Sequence, residues 1–268
     1  MVPPTLASLR VTGGSGRGGA VSGKADFAWC RSVVEQLDSA ASACVVELIQ
    51  IWDIWGAGDL AWLQSPRVRL VSFRGRWSTP QQVALVASAG PTLQLASLAL
   101  RDYASPSLDA LWGCNLASLT ALELSGRFIT SLEGLADAQL HKLARLDVAC
   151  LGSLQGLEGG SLTHLRLFQC GVTSLHGLAG AGASQLERLE MLGCYALTSL
   201  QSLHACGLSR LTLLHLSACT ALESLDGLGA LPAHVLLDLR HCRLLTSLQS
   251  VLDAGAVNLR DLNLIGCT

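Results

Sequence analysis

The sequence predicts an α/β solenoid: short repeats stacked into a curve, with a parallel β-sheet on the concave face and short 3-10 or irregular turns on the convex face. Three observations predict it. The stretches "LTHLRLFQC" from Leu162, "LERLEMLGC" from Leu186, "LTLLHLSAC" from Leu211, "HVLLDLRHC" from His234 and "LRDLNLIGC" from Leu259 share the pattern L-x-x-L-x-L-x-x-C. Most of these copies run on into "LTSLxxL", which places a leucine at every third residue. Half of the 268 residues are hydrophobic and only 14% are charged, so the chain is rich in core material and is not a disordered one. A fixed period of this kind marks stacked units, none of which can bury its apolar face alone.

Looser copies precede these five, and together the starts fall at Leu6, Val46, Val68, Leu95, Leu119, Leu143, Leu162, Leu186, Leu211, His234 and Leu259. They are spaced by 40, 22, 27, 24, 24, 19, 24, 25, 23 and 25 residues. The apolar slots are offsets 0, 3 and 5 from each start, and of 33 such slots only His234 breaks the rule. Strand alternation sends offsets 3 and 5 inward and leaves offsets 2, 4 and 6 on the outer face. Parallel strands stack about 4.8 Å apart, so eleven of them make an arc of roughly 50 Å. Triplets such as Leu197, Leu200 and Leu203 carry the buried stripe around the convex side, with a step that suits 3-10 turns. The expectation is one cooperative domain over 1–268, with residues 13–43 inserted between the first two repeats.

That insertion carries "GGSGRGGAVSGKA", residues 13–25, which imitates two nucleotide motifs. Gly14, Gly16 and Gly19 fit G-x-G-x-x-G, and Gly18 to Lys24 fit G-x-x-x-x-G-K. A phosphate-binding loop needs a hydroxyl after the lysine to hold magnesium, and Ala25 has none. The apolar run ending at Asp53 belongs to the second repeat through Val46, Ile49 and Ile51. The segment therefore reads as a glycine-rich loop entering one helix, capped by Asp26, with Phe27, Val33, Val34 and Leu37 as its apolar stripe.

Catalytic and cofactor chemistry finds no support. Seven histidines are scattered without a partnered serine or aspartate, and His215 with Cys219 has no matching pair to complete a metal site. Five of the ten cysteines, Cys170, Cys194, Cys219, Cys242 and Cys267, fall at offset 8, where a small buried residue turns the chain. No C-x-x-C spacing suggests zinc, and a buried structural ladder of thiols is expected. "MVPPTLASLR" is no secretory signal, and the stretch from Trp77 to Leu100 is too polar for a membrane span. Reduced thiols then point to an intracellular protein, cytoplasmic first, with nuclear or cytoskeletal association as alternatives. The formal charge of −2 provides no overall field for nucleic acid.

The repeat resembles the leucine-rich repeat superfamily over essentially the whole chain, and its cysteine variant with "LTSLxGL" looks most like the kinetoplastid leucine-rich repeat proteins. The resemblance implies a horseshoe that binds other proteins on its concave sheet. The outward offsets then name the candidate partner-binding residues. Arg145, His164 and Arg188 share offset 2; Arg166, Glu190, His215 and Asp238 share offset 4; Phe168, Leu192 and Arg240 share offset 6. Apolar anchors within a charged surround match the anatomy of an interface, whereas local pairing of those charges would make an ordinary solvated sheet.

A second region is the N-terminal third, which holds all six tryptophans and the cluster Arg67, Arg69, Arg74 and Arg76. It reads either as volume-filling aromatics or as a docking patch, with RNA a less favoured ligand. No polar capping unit is evident at either end, so a partner could also cover the ends. The function expected is a non-enzymatic scaffold or adaptor without cofactors, a subunit of a larger intracellular assembly. The alternatives are a substrate-recognition arm of a ubiquitin-ligase complex, for which no F-box-like segment is visible, and an RNA-associated scaffold.

Overall fold

The computed structural model describes residues 8–12, 31–37, 45–49, 51–52, 65, 68–70, 72–76, 95–112, 116–157, 160–229, 231–232, 234–253 and 259–267. The strands are β1 (Ser8–Thr12), β2 (Val45–Ile49), β3 (Ile51–Trp52), β4 (Val68–Leu70), β5 (Ser72–Arg76), β6 (Ser97–Arg101) and β7 (Ala121–Ser125). They continue with β8 (Arg145–Ala149), β9 (His164–Phe168), β10 (Arg188–Leu192), β11 (Leu213–His215), β12 (Leu236–Asp238) and β13 (Asp261–Asn263). Strands β6 to β13 form one parallel sheet in chain order, each hydrogen-bonded to the next. Strands β5 and β3 extend it, and β1, β2 and β4 form a separate parallel sheet. Few helical segments accompany the strands, which makes this an α/β-type fold dominated by parallel sheet.

The leucine pattern produces this arrangement directly. Leu146, Leu165, Leu189, Leu214 and Leu237 stand in register on successive strands and are all buried, as are the offset-5 residues Val148, Leu167, Met191, Leu216 and Leu239. Burying each such side chain contributes about 1.5–3 kcal/mol, so the stack of strands is itself the core.

Three repeats depart from the sequence alignment. Strand β5 aligns Phe73 with Leu98 and Gly75 with Leu100, so the third repeat runs two residues later than a start at Val68 implies. The apolar count misses this because glycine brings no side chain to the slot, and a two-residue slip keeps the same face. At the first repeat, Leu9 pairs with Val46 and Val11 with Leu48, a three-residue offset from the sequence alignment. In the tenth repeat His234 is exposed with φ of 70°, and the fully buried Val235 fills the slot one residue on.

After five of the described strands the chain turns at offset 7 through a non-glycine residue, where Asp102, Cys150, Gln169, Ala218 and His241 all adopt left-handed backbone with φ between 51° and 63°. One residue later the cysteines enter the core. Cys194, Cys219, Cys242 and Cys267 point their thiols at the carbonyl oxygens of Leu167, Met191, Leu216 and Leu239, the offset-5 residues one repeat earlier. Cys170 does the same to Val148, at 3.6 Å. The thiol is thus small enough to be buried and still able to donate where the ladder leaves a carbonyl.

The "LTSLxxL" segment has its own logic. Hydroxyls of Ser107, Ser153, Ser199, Ser224 and Ser247 accept the backbone N–H two residues on, at 3.0 to 3.3 Å. Such turns open the 3-10 segments Asp109–Leu111 and Gln201–Cys206 and the short helix Gln249–Asp253. Gly156 and Gly227, with φ of 91° and 89°, let each turn press against the backbone of the preceding one, where a Cβ would collide with Leu132–Glu133 or Gln201. In the insertion, residues 31–37 are helical with Val34 and Leu37 buried, which agrees with the stripe read from sequence. Asp26, Phe27 and the glycine loop with Lys24 lie outside the described residues. Among the described residues, no helix is long and apolar enough to cross a membrane.

Candidate protein-binding face

The face of the sheet opposite the core is built from offsets 2, 4 and 6, and strand pairing fixes which side chains become neighbours. Arg145, His164 and Arg188 stand in one row across β8, β9 and β10. Asp147, Arg166, Glu190, His215, Asp238 and Asn263 form the next row. Ala149, Phe168 and Leu192 form the third. The ten candidates therefore share one surface, as the alternation requires.

Many of its charges are paired. Arg145 donates Nε and Nη2 to Oδ2 of Asp147, two residues along its own strand, at 3.0 and 2.9 Å. Arg166 Nε lies 3.8 Å from Glu190 Oε2 on the next strand, an ion pair without a hydrogen bond. Arg101 donates Nε to Glu123 at 2.8 Å across β6 and β7. Arg240 grips Asp238 with its guanidinium at 2.9 and 3.0 Å, and its backbone N–H reaches the same carboxylate at 3.1 Å. His215 Nε2 is 3.2 Å from Asp238 Oδ2 but lacks hydrogen-bond geometry, so that contact is an ion pair only when the ring is protonated. Burial works against ionisation of Asp238, yet the hydrogen bonds from Arg240 and the nearby His215 and Arg240 charges hold its carboxyl below the usual range. Arg188 has no ion pair among the described residues.

The apolar members differ from their sequence reading. Phe168 is 43% exposed and can anchor a partner. Leu192, read as an exposed anchor, is only half-exposed beside it, in register with Phe168 on the neighbouring strand. Tyr195 and Phe128 are more exposed than either, and sequence reading passed over both because they sit beyond offset 6. Tyr195 follows the cysteine of its repeat, and its ring lies over Gly193, whose missing side chain leaves the space. A shallow depression of about 370 Å³ opens between β6 and β9, with Arg101, Glu123, Arg145, Asp147, Arg166 and Phe168 among its lining.

No family model, curated protein or solved structure matches the chain. What the face can do follows from its own chemistry. It offers guanidiniums, carboxylates and an aromatic ring on one face of a parallel sheet. Among the described residues, no three His, Cys, Asp or Glu side chains gather as a metal site would need. Burial pushes the Cys242 thiol up to about 11, and burial likewise raises Cys206, so neither is a thiolate nucleophile at neutral pH. The hydrogen bond with Cys194 and burial raise Cys170 as well.

The other two candidate regions are partly visible. Trp112 is exposed, with Nε1 donating to Asp137 at 3.0 Å. The side chains of Arg67, Arg69, Arg74 and Arg76 lie outside what the structure describes, as do those of the other five tryptophans. At the last strand, Leu262 and Leu264 are 39% and 38% exposed, although they occupy the slots that are buried in the five preceding repeats.

Proposed function

We propose that this chain is a non-enzymatic protein-binding scaffold or adaptor of the leucine-rich repeat kind, a subunit of an intracellular assembly. On this reading the parallel sheet is the inner face of a solenoid, and Arg145, His164, Arg166, Phe168, Arg188, Glu190 and Leu192 form the centre of its docking surface. The observation that carries it is Phe168, an aromatic ring left 43% exposed beside the charged row of Asp147, Arg166 and Glu190. A solvated sheet has no need of such a ring, whereas interfaces concentrate their energy in aromatic and arginine anchors surrounded by polar groups. The ion pairs along the face fix the orientation of those arginines, which lowers the cost of ordering them on binding.

Affinity purification of the native protein tests this. The Phe168→Ala, Arg166→Glu double variant should lose its stoichiometric partner, a change of more than about 2 kcal/mol in binding. A folded double variant that retains every partner of the wild type refutes the assignment.

A further inference from the structure

On the open face between β6 and β10, arginines lie uppermost and carboxylates beneath them. The side chains of Arg101, Arg145 and Arg166 are 42%, 58% and 48% exposed, and those of their partners Glu123, Asp147 and Glu190 are 26%, 24% and 26% exposed. More of each cation than of its anion therefore meets water. Arg188 joins the row beside Arg145 and His164 with no ion-paired carboxylate among the described residues. Arg145 commits Nε and Nη2 to a single oxygen of Asp147, and a guanidinium has five N–H donors in all, so donors remain for an outside acceptor. The depression of about 370 Å³ lies among these groups, with Phe168 in its wall.

We propose that this depression, together with Arg188 on the adjoining strand, docks an acidic segment of a partner protein, its carboxylates on Arg145, Arg166 and Arg188 and one apolar side chain against Phe168. The proposal rests on the protein-binding reading above and adds the chemistry of the partner. Charge complementarity selects it: arginine forks match carboxylates in pairs of parallel hydrogen bonds, and here the forks are already oriented by the acids below. A lysine-rich partner would meet the outermost cations first. Nucleic acid fits less well, because Glu123 and Asp147 line the depression with negative charge, Glu190 lies on the adjoining strand, and a single half-exposed ring is a poor stacking platform for successive bases.

The test uses the full chain and a short fluorescein-labelled peptide of glutamates around one central phenylalanine, read by fluorescence anisotropy. Control probes replace the glutamates by lysines, replace the phenylalanine by serine, or are single-stranded RNA of similar length. The acidic aromatic peptide should bind saturably and weaken as salt is raised. Arg188→Glu should weaken it at least about tenfold, the loss expected when an interfacial charge is reversed, and Phe168→Ala should remove the advantage over the serine probe. Arg188→Ala breaks no internal ion pair and keeps the test informative if the charge reversal disturbs folding.

Absence of binding by the acidic peptide, equal or tighter binding of the lysine peptide or RNA, or indifference to both Arg188 variants overturns the proposal. If the acidic probe fails while the Phe168→Ala, Arg166→Glu protein still sheds its native partner, the binding face stands and only the partner chemistry falls. If that variant also keeps its partner, both fail.

Discussion

The Cys242 thiol lies 3.0 Å from the carbonyl oxygen of Leu216 in the preceding repeat, while the equivalent Cys194 thiol lies 3.9 Å from that of Leu167. One position in the repeat therefore holds thiols with unequal hydrogen bonds. A serine hydroxyl at 242 finds an acceptor within ordinary reach. At 194 the shorter C–O bond leaves it out of reach of that carbonyl, with only the weakly bonding sulfurs of Cys170 and Cys219 nearby. Cys194→Ser should cost about 1–3 kcal/mol and Cys242→Ser clearly less, compared by urea unfolding. Equal losses would show that the ladder carbonyls do not discriminate.

Ala218 sits in left-handed backbone with φ of 58°, a conformation that strains any residue with a Cβ. Ala218→Gly should raise stability by about 0.5–1 kcal/mol, the relief of strain outweighing the added freedom of the unfolded chain. Gly227→Ala should do the reverse and cost more than about 1 kcal/mol, since its φ of 89° and the backbone of Gln201 leave no room for a methyl group. Thermal melts of both variants check the pair.

Leu165 and Phe168 lie three residues apart on one strand and face opposite ways. Leu165→Ala opens a cavity and should cost about 2–5 kcal/mol. Phe168→Ala removes a ring from the outer face and should change stability by no more than about 0.5 kcal/mol. A large loss at Phe168 would mean that the ring serves packing and not binding.

The carboxyl of Asp238 is held below its ordinary range by Arg240 and by His215 beside it, against the effect of burial. A carboxylate depressed in the folded state stabilises above its unfolded pKa of about 3.9, and that contribution fades as pH falls through the folded value. Asp238→Asn should therefore lower the urea midpoint at neutral pH, with the difference closing as the solution is acidified below about pH 4. A difference that stays constant through that range would remove the ion pair from the account.

Much of the sheet was legible because leucine at offsets 3 and 5 leaves little choice of register: β7 to β12 pair as the pattern implies. The third repeat escaped it, since Gly75 occupies an inward slot without a side chain to announce it, and the first pairs three residues away from its apparent start. His234 breaks the apolar rule in the sequence, and only the structure shows Val235 taking its place. On the outer face, the rows of candidates followed from alternation alone. Their pairing did not, because Arg145 reaches along its own strand to Asp147 whereas Arg166 approaches Glu190 across strands. Rotamers decide between those outcomes, and a one-letter sequence does not carry them. Arg101 and Tyr195 were missed for a simpler reason, lying in an early repeat and beyond the strand.

The central claim is that the open face meets a protein partner at Phe168. Hydroxyl-radical footprinting of the free chain and of its affinity-purified complex reads this at the side chains concerned. Phe168 and Leu192 should be oxidised in the free protein and protected in the complex, with the exposed Ile265 and Leu252 equally reactive in both. Protection confined to Leu252, Leu262 and Ile265, with Phe168 still reactive in the complex, would contradict the account and move the interface to the last strand.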